Sequence, residues 1–80
     1  MPKIAYTISA TKQLKALSEQ AREQILDKLH RYAETGAGQV KALVGRDGVR
    51  LRVGRYRVIF TEAKDEILVM AIGDRRDVYR

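Results

Sequence analysis

The sequence of 80 residues contains no cysteine and only one histidine. Without cysteine, neither a disulfide nor a thiolate metal site can hold the fold together, which agrees with a reducing compartment. No window approaches the run of about 20 apolar residues that a membrane span requires, and we expect no signal peptide at the start of the chain. We therefore expect a single domain over residues 1–80 in the cytoplasm, without membrane association.

The shortage of histidine and the spacing of the carboxylates exclude several kinds of active site. His30 falls within a predicted helix, where we interpret it as an edge-of-core or surface residue, and a nuclease built on two histidines is excluded. Glu62, Asp65 and Glu66 cluster in a predicted turn, where acidic residues are usually solvated. No glycine-rich phosphate loop is present. We expect no metal site and no cofactor.

Positive charge is abundant and unevenly distributed. The chain has 16 Lys and Arg residues against 10 Asp and Glu residues, a formal net charge of +6. Such a balance indicates a polyanionic partner, either a nucleic acid or an acidic protein. Up to Gly45 there are five lysines and two arginines, whereas eight arginines and one lysine follow. Because the planar guanidinium fork matches phosphate in two-point contacts, we expect any phosphate site in the second half.

Hydrophobic periodicity predicts two helices and four strands. The predicted elements, in chain order, are a strand over 3–9, a helix over 10–17, a helix from Ser18 to Gly36, a glycine-rich loop over 35–48, and strands over 49–53, 56–60 and 67–72. Ser9 or Thr11 is the expected cap of the first helix, and Ser18 that of the second. The second helix carries an apolar stripe at helical spacing. The stripe consists of Ala21, Ile25, Leu29, Tyr32 and Ala33.

This order, β-α-α-β-β-β, predicts an α+β fold. The last three strands should form an antiparallel meander, giving a mostly antiparallel, twisted sheet with the two-helix hairpin packed on one face. The last strand is apolar at every position, which is typical of a central strand covered on both faces. The first strand must join the same sheet, at an edge that the sequence does not specify.

A hairpin centred on Gly54-Arg55 gathers arginines on one face of the sheet. Glycine at the first position of a two-residue loop indicates a type II′ turn. The resulting register pairs Arg52 with Arg57 and places both, with Arg50, beside Ile59 on the face away from the helices. A sheet face exposed to solvent needs polar residues, and single arginines would serve. Three arginines with a directly opposed pair, which destabilises a ladder, favour an anion site.

The C-terminal residues add to this cationic set. Arg75, Arg76, Tyr79 and Arg80 follow the last predicted strand within seven residues of Gly73. A terminal segment of this kind is ordinarily solvated, and a terminal tyrosine more often packs than catalyses. Beside arginines, however, a tyrosine pKa is lowered, and the phenol can then transfer protons.

These residues suit one particular chemistry. RNA is cleaved without a metal when its 2′-hydroxyl is the nucleophile. The reaction then requires a proton acceptor, positive charge at the phosphorane and a proton donor for the leaving oxygen. Arginine supplies the charge but is a poor proton donor near neutral pH, which leaves tyrosine as the candidate proton carrier.

Two motifs resemble a known family. Residues 49–60 resemble the strand–turn–strand core of the RelE/ParE-superfamily toxins of bacterial type II toxin–antitoxin systems. Residues 72–79, from Ile72 through Arg75 to Tyr79, resemble their C-terminal signature, and residues 40–45 resemble the segment before the core. Chain length and element order agree as well, so the resemblance covers essentially the whole chain.

The resemblance implies the RelE-like activity, which is metal-independent, ribosome-dependent cleavage of mRNA that inhibits translation. It implies a cognate antitoxin protein, the ribosome and mRNA as partners. It assigns catalysis to Arg52, Arg57, Arg75 and Tyr79. We expect RNA or phosphate contacts from Arg50, Arg55, Arg76 and Arg80.

The sequence departs from the family pattern at two positions. Asp74 stands where many members have histidine, and Arg52 where many have lysine, which leaves Tyr79 as the best proton carrier. Two alternatives stay open: a ParE-like inhibitor of DNA gyrase, and a nucleic-acid-binding module without catalysis. The combination of Arg75 and Tyr79 favours the RelE-like branch.

Overall fold

The computed structural model describes residues 2–74, which form two helices and a five-stranded mixed sheet. In chain order the elements are β1 (Lys3–Tyr6), α1 (Ile8–Ala16), α2 (Glu19–Thr35), β2 (Gln39–Ala42), β3 (Val49–Val53), β4 (Tyr56–Glu62) and β5 (Glu66–Asp74). The strand order in the sheet is β1-β5-β4-β3-β2. The β1–β5 pair is parallel and the other three pairs are antiparallel. The predicted α+β fold is therefore confirmed.

The second helix has the predicted boundaries. The Ser18 hydroxyl accepts a hydrogen bond from the Ala21 amide at 3.2 Å, which satisfies one of the unpaired donors of the first turn. At the other end Gly36 has a φ of 77° and its amide bonds to the Tyr32 carbonyl. This left-handed conformation suits glycine, which has no Cβ to clash. Local capping chemistry thus defines both ends of α2.

The first helix begins earlier than predicted. Neither Ser9 nor Thr11 is its N-cap; Thr7 is, and its side chain accepts from the Ala10 amide at 3.1 Å. The predicted first strand consequently ends at Tyr6, and Ile8, which continued the alternating pattern, lies in α1 with 77% exposure. Thr7 also bonds through its backbone amide to the Val69 carbonyl at 3.0 Å. Thr7 thus joins the end of β1 to β5 and starts α1, and the sequence pattern does not reveal this long-range contact.

The predicted loop between α2 and β3 contains an additional strand, which is a correction to the sequence prediction. β2 pairs antiparallel with β3, with Gln39 opposite Arg52 and Lys41 opposite Arg50. Its residues alternate in polarity, and Val40 packs against the core while Gln39 and Lys41 are exposed. The glycines on both sides hide this short pattern, and pairing with the edge of β3 supplies the stability that the segment lacks alone.

The continuous apolar run of β5 has a different origin from the one predicted. Ile59 pairs with Ala71 but Phe60 pairs with Val69, so Met70 is an extra residue at a bulge. The bulge shifts the alternation between the faces. Buried positions therefore fall at Ile67, Val69 and Ile72, while Leu68, Met70 and Ala71 are only half-buried. β5 lies between β1 and β4, and its second face is incompletely covered.

The core lies between the sheet and the two helices. Its largest members are Phe60, Ile25, Leu29 and Leu51, each with at most 1% of its surface exposed. Burial of a side chain of this size contributes roughly 1.5–3 kcal/mol. Both helices therefore pack on the same face of the sheet, as predicted, and no helix within residues 2–74 covers the opposite face.

Tyr32 connects the end of α2 to the end of β4 and gives the fold an alkaline pH dependence. Its ring packs against Phe60 with centroids 5.3 Å apart, and its hydroxyl donates a hydrogen bond to Glu62. This hydrogen bond, together with burial and the Glu62 charge, raises the pKa of Tyr32 from 10.0 to about 12. The pKa of Tyr32 is higher in the folded protein than in the unfolded chain. The stability that this phenol contributes is therefore fully present below pH 10 and is lost as the pH rises towards 12.

We expect Tyr32→Phe to lower the free energy of unfolding at pH 8 by about 0.5–1.5 kcal/mol, the usual worth of such a hydrogen bond. Between pH 10 and about 12 the wild type should lose stability more steeply than the variant, since only the wild type has this phenol to ionise. Urea unfolding at a series of pH values measures both effects. Parallel pH profiles for the two proteins would show that the Tyr32–Glu62 bond contributes nothing.

Candidate functional site

The face of the sheet opposite the helices carries the arginines predicted to lie there. Val53 pairs with Tyr56 and Arg52 with Arg57 across the β3–β4 hairpin, and the remaining three pairs also follow the predicted register. Gly54 has a φ of 57° and Arg55 has a negative φ, as a type II′ turn requires. Arg50, Arg52 and Arg57 therefore share one face, and the turn residue Gly54 fixes this register.

The residues on this face form two rows across the sheet. One row consists of Gln39, Arg52, Arg57 and Gly73, on β2, β3, β4 and β5 in that order. The next row consists of Lys41, Arg50, Ile59 and Ala71 on the same four strands. Neither row contains an acidic residue. We name these two rows the arginine face.

The arginine face is only partly open to solvent. Arg52 is exposed, whereas Arg50 and Arg57 are half-buried and the Nε atom of Arg57 is shielded from solvent. Ile59, which lies on the same face, is 1% exposed. A guanidinium held close to an apolar residue loses less freedom when it binds an anion than one at the end of a mobile side chain. The arrangement thus favours a preorganised phosphate contact.

The contribution of β2 to this face was not predicted from the sequence. Gln39 and Lys41 stand directly opposite Arg52 and Arg50. The only signal was the alternation of Gln39 and Lys41 with Val40 and Ala42, which is too short to identify a strand amid glycines. Lys41 adds a fourth cation to the arginine face and a second like-charged pair across a ladder.

A cleft opens beside Arg52 at the place where β2 begins. It is lined by Lys28, Gly38, Gln39, Leu51, Arg52, Val53 and Gly54. Lys28 comes from α2, on the helical side of the sheet. Arg52 therefore borders both the arginine face and this edge of the molecule, and an anion can approach it from either side.

Arg55 is separated from the other hairpin arginines. Its Nε donates to an Asp74 carboxylate oxygen at 3.0 Å, and its second guanidinium nitrogen lies 2.9 Å from the same oxygen. Its guanidinium carbon also lies 5.5 Å from the centre of the Tyr56 ring. Tyr56 and Asp74 are partners in a row that faces the helices. The structure thus brings Arg50, Arg52 and Arg57 together and places Arg55 beside Asp74.

A double-mutant cycle on Arg55→Ala and Asp74→Ala should give a small coupling energy. The Arg55 side chain is 69% exposed, so water screens the pair even though Asp74 is only 18% exposed. Exposed pairs contribute about 0.2–1 kcal/mol, and salt weakens them. Denaturant melts of the four proteins at low and high salt measure the coupling. A coupling that is large and insensitive to salt would mean that the pair is effectively buried.

The remaining sequence-predicted residues lie elsewhere. Arg75, Arg76, Tyr79 and Arg80 lie outside the described residues. His30 is an exposed residue of α2, which agrees with its interpretation as a surface residue. It lies on the side of the sheet opposite the arginine face. Within residues 2–74, no three His, Asp or Glu side chains are grouped closely enough to bind a metal ion. In that same range no helix is long and apolar enough to cross a membrane.

Solved structures of toxins share this fold. The isolated RelE toxin of E. coli matches with a TM-score of 0.80 and 23% sequence identity, covering 99% of this chain and 92% of that one. A chain of the archaeal RelE–RelB complex from Pyrococcus horikoshii OT3 matches with a TM-score of 0.78 and 20% identity, covering 96% and 98%. A YafQ variant from E. coli matches with a TM-score of 0.76 and 12% identity over the full length of both chains. The fold is therefore that of the RelE-like toxins.

The sequence identifies the family. A family model described as the ParE toxin of the type II toxin–antitoxin system parDE matches residues 4–79. The chain therefore belongs to this family and is a type II toxin of the RelE/ParE superfamily, as its motifs predicted. No curated protein matches the sequence. The assignment to the RelE-like branch stays a prediction.

Proposed function

We propose that this toxin is a metal-independent endoribonuclease that cleaves mRNA on the ribosome and so inhibits translation. The observation that supports it best is the opposed pair Arg52 and Arg57 on the arginine face. Like charges directly across a ladder destabilise the sheet, and a phosphate bound to both guanidinium groups would offset that repulsion. Arginines that lower the stability of the fold but favour the binding of an anion are typical of a functional site.

The proposed reaction uses the substrate's own 2′-hydroxyl. Its oxygen loses its proton and forms a bond to phosphorus, the bond from phosphorus to the 5′-oxygen breaks, and a proton passes to that leaving oxygen. Arg52, Arg57 and Arg75 stabilise the negative charge that accumulates on the phosphorane, and Tyr79 transfers the proton. Arg50, Arg55, Arg76 and Arg80 contact RNA phosphates, and Arg55 does so from its position beside Asp74. We place the reaction in the cytoplasm.

An antitoxin protein is the second proposed partner. Solved relatives include RelE with RelB from Methanococcus jannaschii and YoeB with YefM from Staphylococcus aureus, both antitoxin complexes with toxins of this fold. A partner that binds only the folded toxin stabilises it by mass action. The +6 charge of this chain favours an acidic antitoxin segment.

Inhibition of DNA gyrase is the second candidate function, because the matching family model is described by the parDE system. Two assays on the purified toxin separate the possibilities: cleavage of mRNA on programmed ribosomes, and supercoiling by gyrase. We expect cut mRNA and unaffected supercoiling. Inhibited gyrase with intact mRNA would establish the ParE-like function, and no effect in either assay would favour a binding module without catalysis.

Cleavage should survive removal of divalent ions from the toxin. The described residues contain no cluster of metal ligands. In the proposed reaction, arginines and not a metal ion stabilise the negative charge on the phosphorane. The toxin is treated with EDTA, passed through a desalting column and then added to ribosomes kept in their normal magnesium buffer. We expect an unchanged cleavage rate. A rate that falls after this treatment and returns when the toxin is reloaded with a divalent ion would overturn the metal-free mechanism.

A further inference from the structure

Lys41 and Arg50 are directly opposed on the arginine face, one row away from Arg52 and Arg57. The second row is the less expected of the two, because Lys41 comes from a strand outside the hairpin. β3 therefore carries a cation with a like-charged partner at two successive positions on the same face. A second opposed pair of cations, on a different ladder from the first, strengthens the case for a shared anionic ligand.

The spacing of the two rows fits a nucleic-acid backbone. Arg50 and Arg52 are two residues apart on β3, so their Cα atoms are separated by roughly 6.6–6.8 Å. Neighbouring phosphates of an extended single strand have a comparable separation. Two rows of cations on one sheet face can therefore bind two successive phosphates at once, as grooves that follow a single-stranded backbone do.

We propose that Lys41 and Arg50 form a second phosphate subsite, which binds the phosphate next to the one that is cleaved. This inference rests on the proposed function and assigns a role to β2. Lysine suits this place, because a flanking phosphate needs attraction and positioning but no planar two-point contact in the transition state. The reacting phosphate lies at the row of Arg52 and Arg57.

The subsite predicts a specific division between binding and catalysis. A contact to a flanking phosphate is the same in the ground state and the transition state, so its loss raises KM and not kcat. We expect Lys41→Gln to raise KM several-fold in cleavage on programmed ribosomes. Lys41→Arg, which keeps the charge, should restore much of the loss. Lys12→Gln, which removes the same charge from an exposed position on α1, is the matched control.

A binding measurement tests the contact without cleavage. The probe is a short single-stranded RNA whose 2′-hydroxyls are methylated, titrated with each toxin between about 50 and 200 mM salt. Each lost phosphate contact reduces the slope of log affinity against log salt by about 0.7. Over this fourfold rise in salt, the affinity gap between wild type and Lys41→Gln should narrow by about 2.6-fold, whereas Lys12→Gln should keep the wild-type slope.

The outcomes separate this inference from the proposed function. If wild type binds the RNA but Lys41→Gln and Lys12→Gln have equal slopes and KM values, the second subsite is wrong while the nuclease proposal stands. A loss confined to kcat would also overturn it. Wild type that binds but never cleaves contradicts the proposed function, and the slopes still decide on the subsite. Wild type that neither binds nor cleaves overturns both. Thermal melts exclude unfolding of Lys41→Gln as the cause.

Discussion

Arg57→Thr is expected to abolish nearly all toxicity while leaving the folded protein equally or more stable. Arg57 stands directly opposite Arg52, and like charges in this position cost about 0.2–1 kcal/mol. Threonine removes the repulsion and is a good strand former. The same change removes a guanidinium from the row proposed to hold the reacting phosphate. A residue kept for function at the expense of stability should show this opposition of effects.

The comparison requires two measurements on the same protein. Growth arrest after induced expression reports toxicity, and the denaturation midpoint of the purified free toxin reports stability. Arg46→Thr makes the identical substitution at an exposed position in the β2–β3 loop and should leave toxicity intact. A clearly destabilised Arg57→Thr protein that remains fully toxic would show that Arg57 serves the fold.

Features fixed by local chemistry could be predicted from the sequence. The second helix follows from its apolar stripe, its Ser18 cap and its Gly36 stop, all within one segment. The register of the β3–β4 hairpin follows from Gly54, since a two-residue turn fixes every pair beyond it. This register places Arg52 opposite Arg57, so the central part of the candidate site could be predicted from the sequence.

Features that depend on distant pairing could not be predicted in the same way. β2 is four residues long, and only the edge of β3 makes it a strand, so Lys41 was missing from the predicted site. The contact between Arg55 and Asp74 depends on the β4–β5 pairing and its bulge. The parallel pairing of β1 with β5 likewise joins residues about 60 positions apart. Each of these needs the assembled sheet before it can exist.

Tyr79→Phe should slow mRNA cleavage by roughly 10²–10⁴-fold, the usual contribution of a general acid or base. Two observations on the described residues favour a role for this phenol. His30, the single imidazole of the chain, is an exposed residue of α2 on the opposite side of the sheet from the arginine face. The described cations of that face are arginines and Lys41, and arginine is a poor proton donor near neutral pH. We therefore propose the phenol of Tyr79 as the proton carrier.

The substitution removes one oxygen and keeps the ring, so ribosome binding and folding should be preserved. Single-turnover cleavage on programmed ribosomes gives the rate of the chemical step, and a binding titration gives the affinity separately. Tyr6→Phe removes the same oxygen from a half-buried tyrosine of β1 that packs against the core, and it should cleave at the wild-type rate. If Tyr79→Phe also cleaves at that rate, the proton passes through another group.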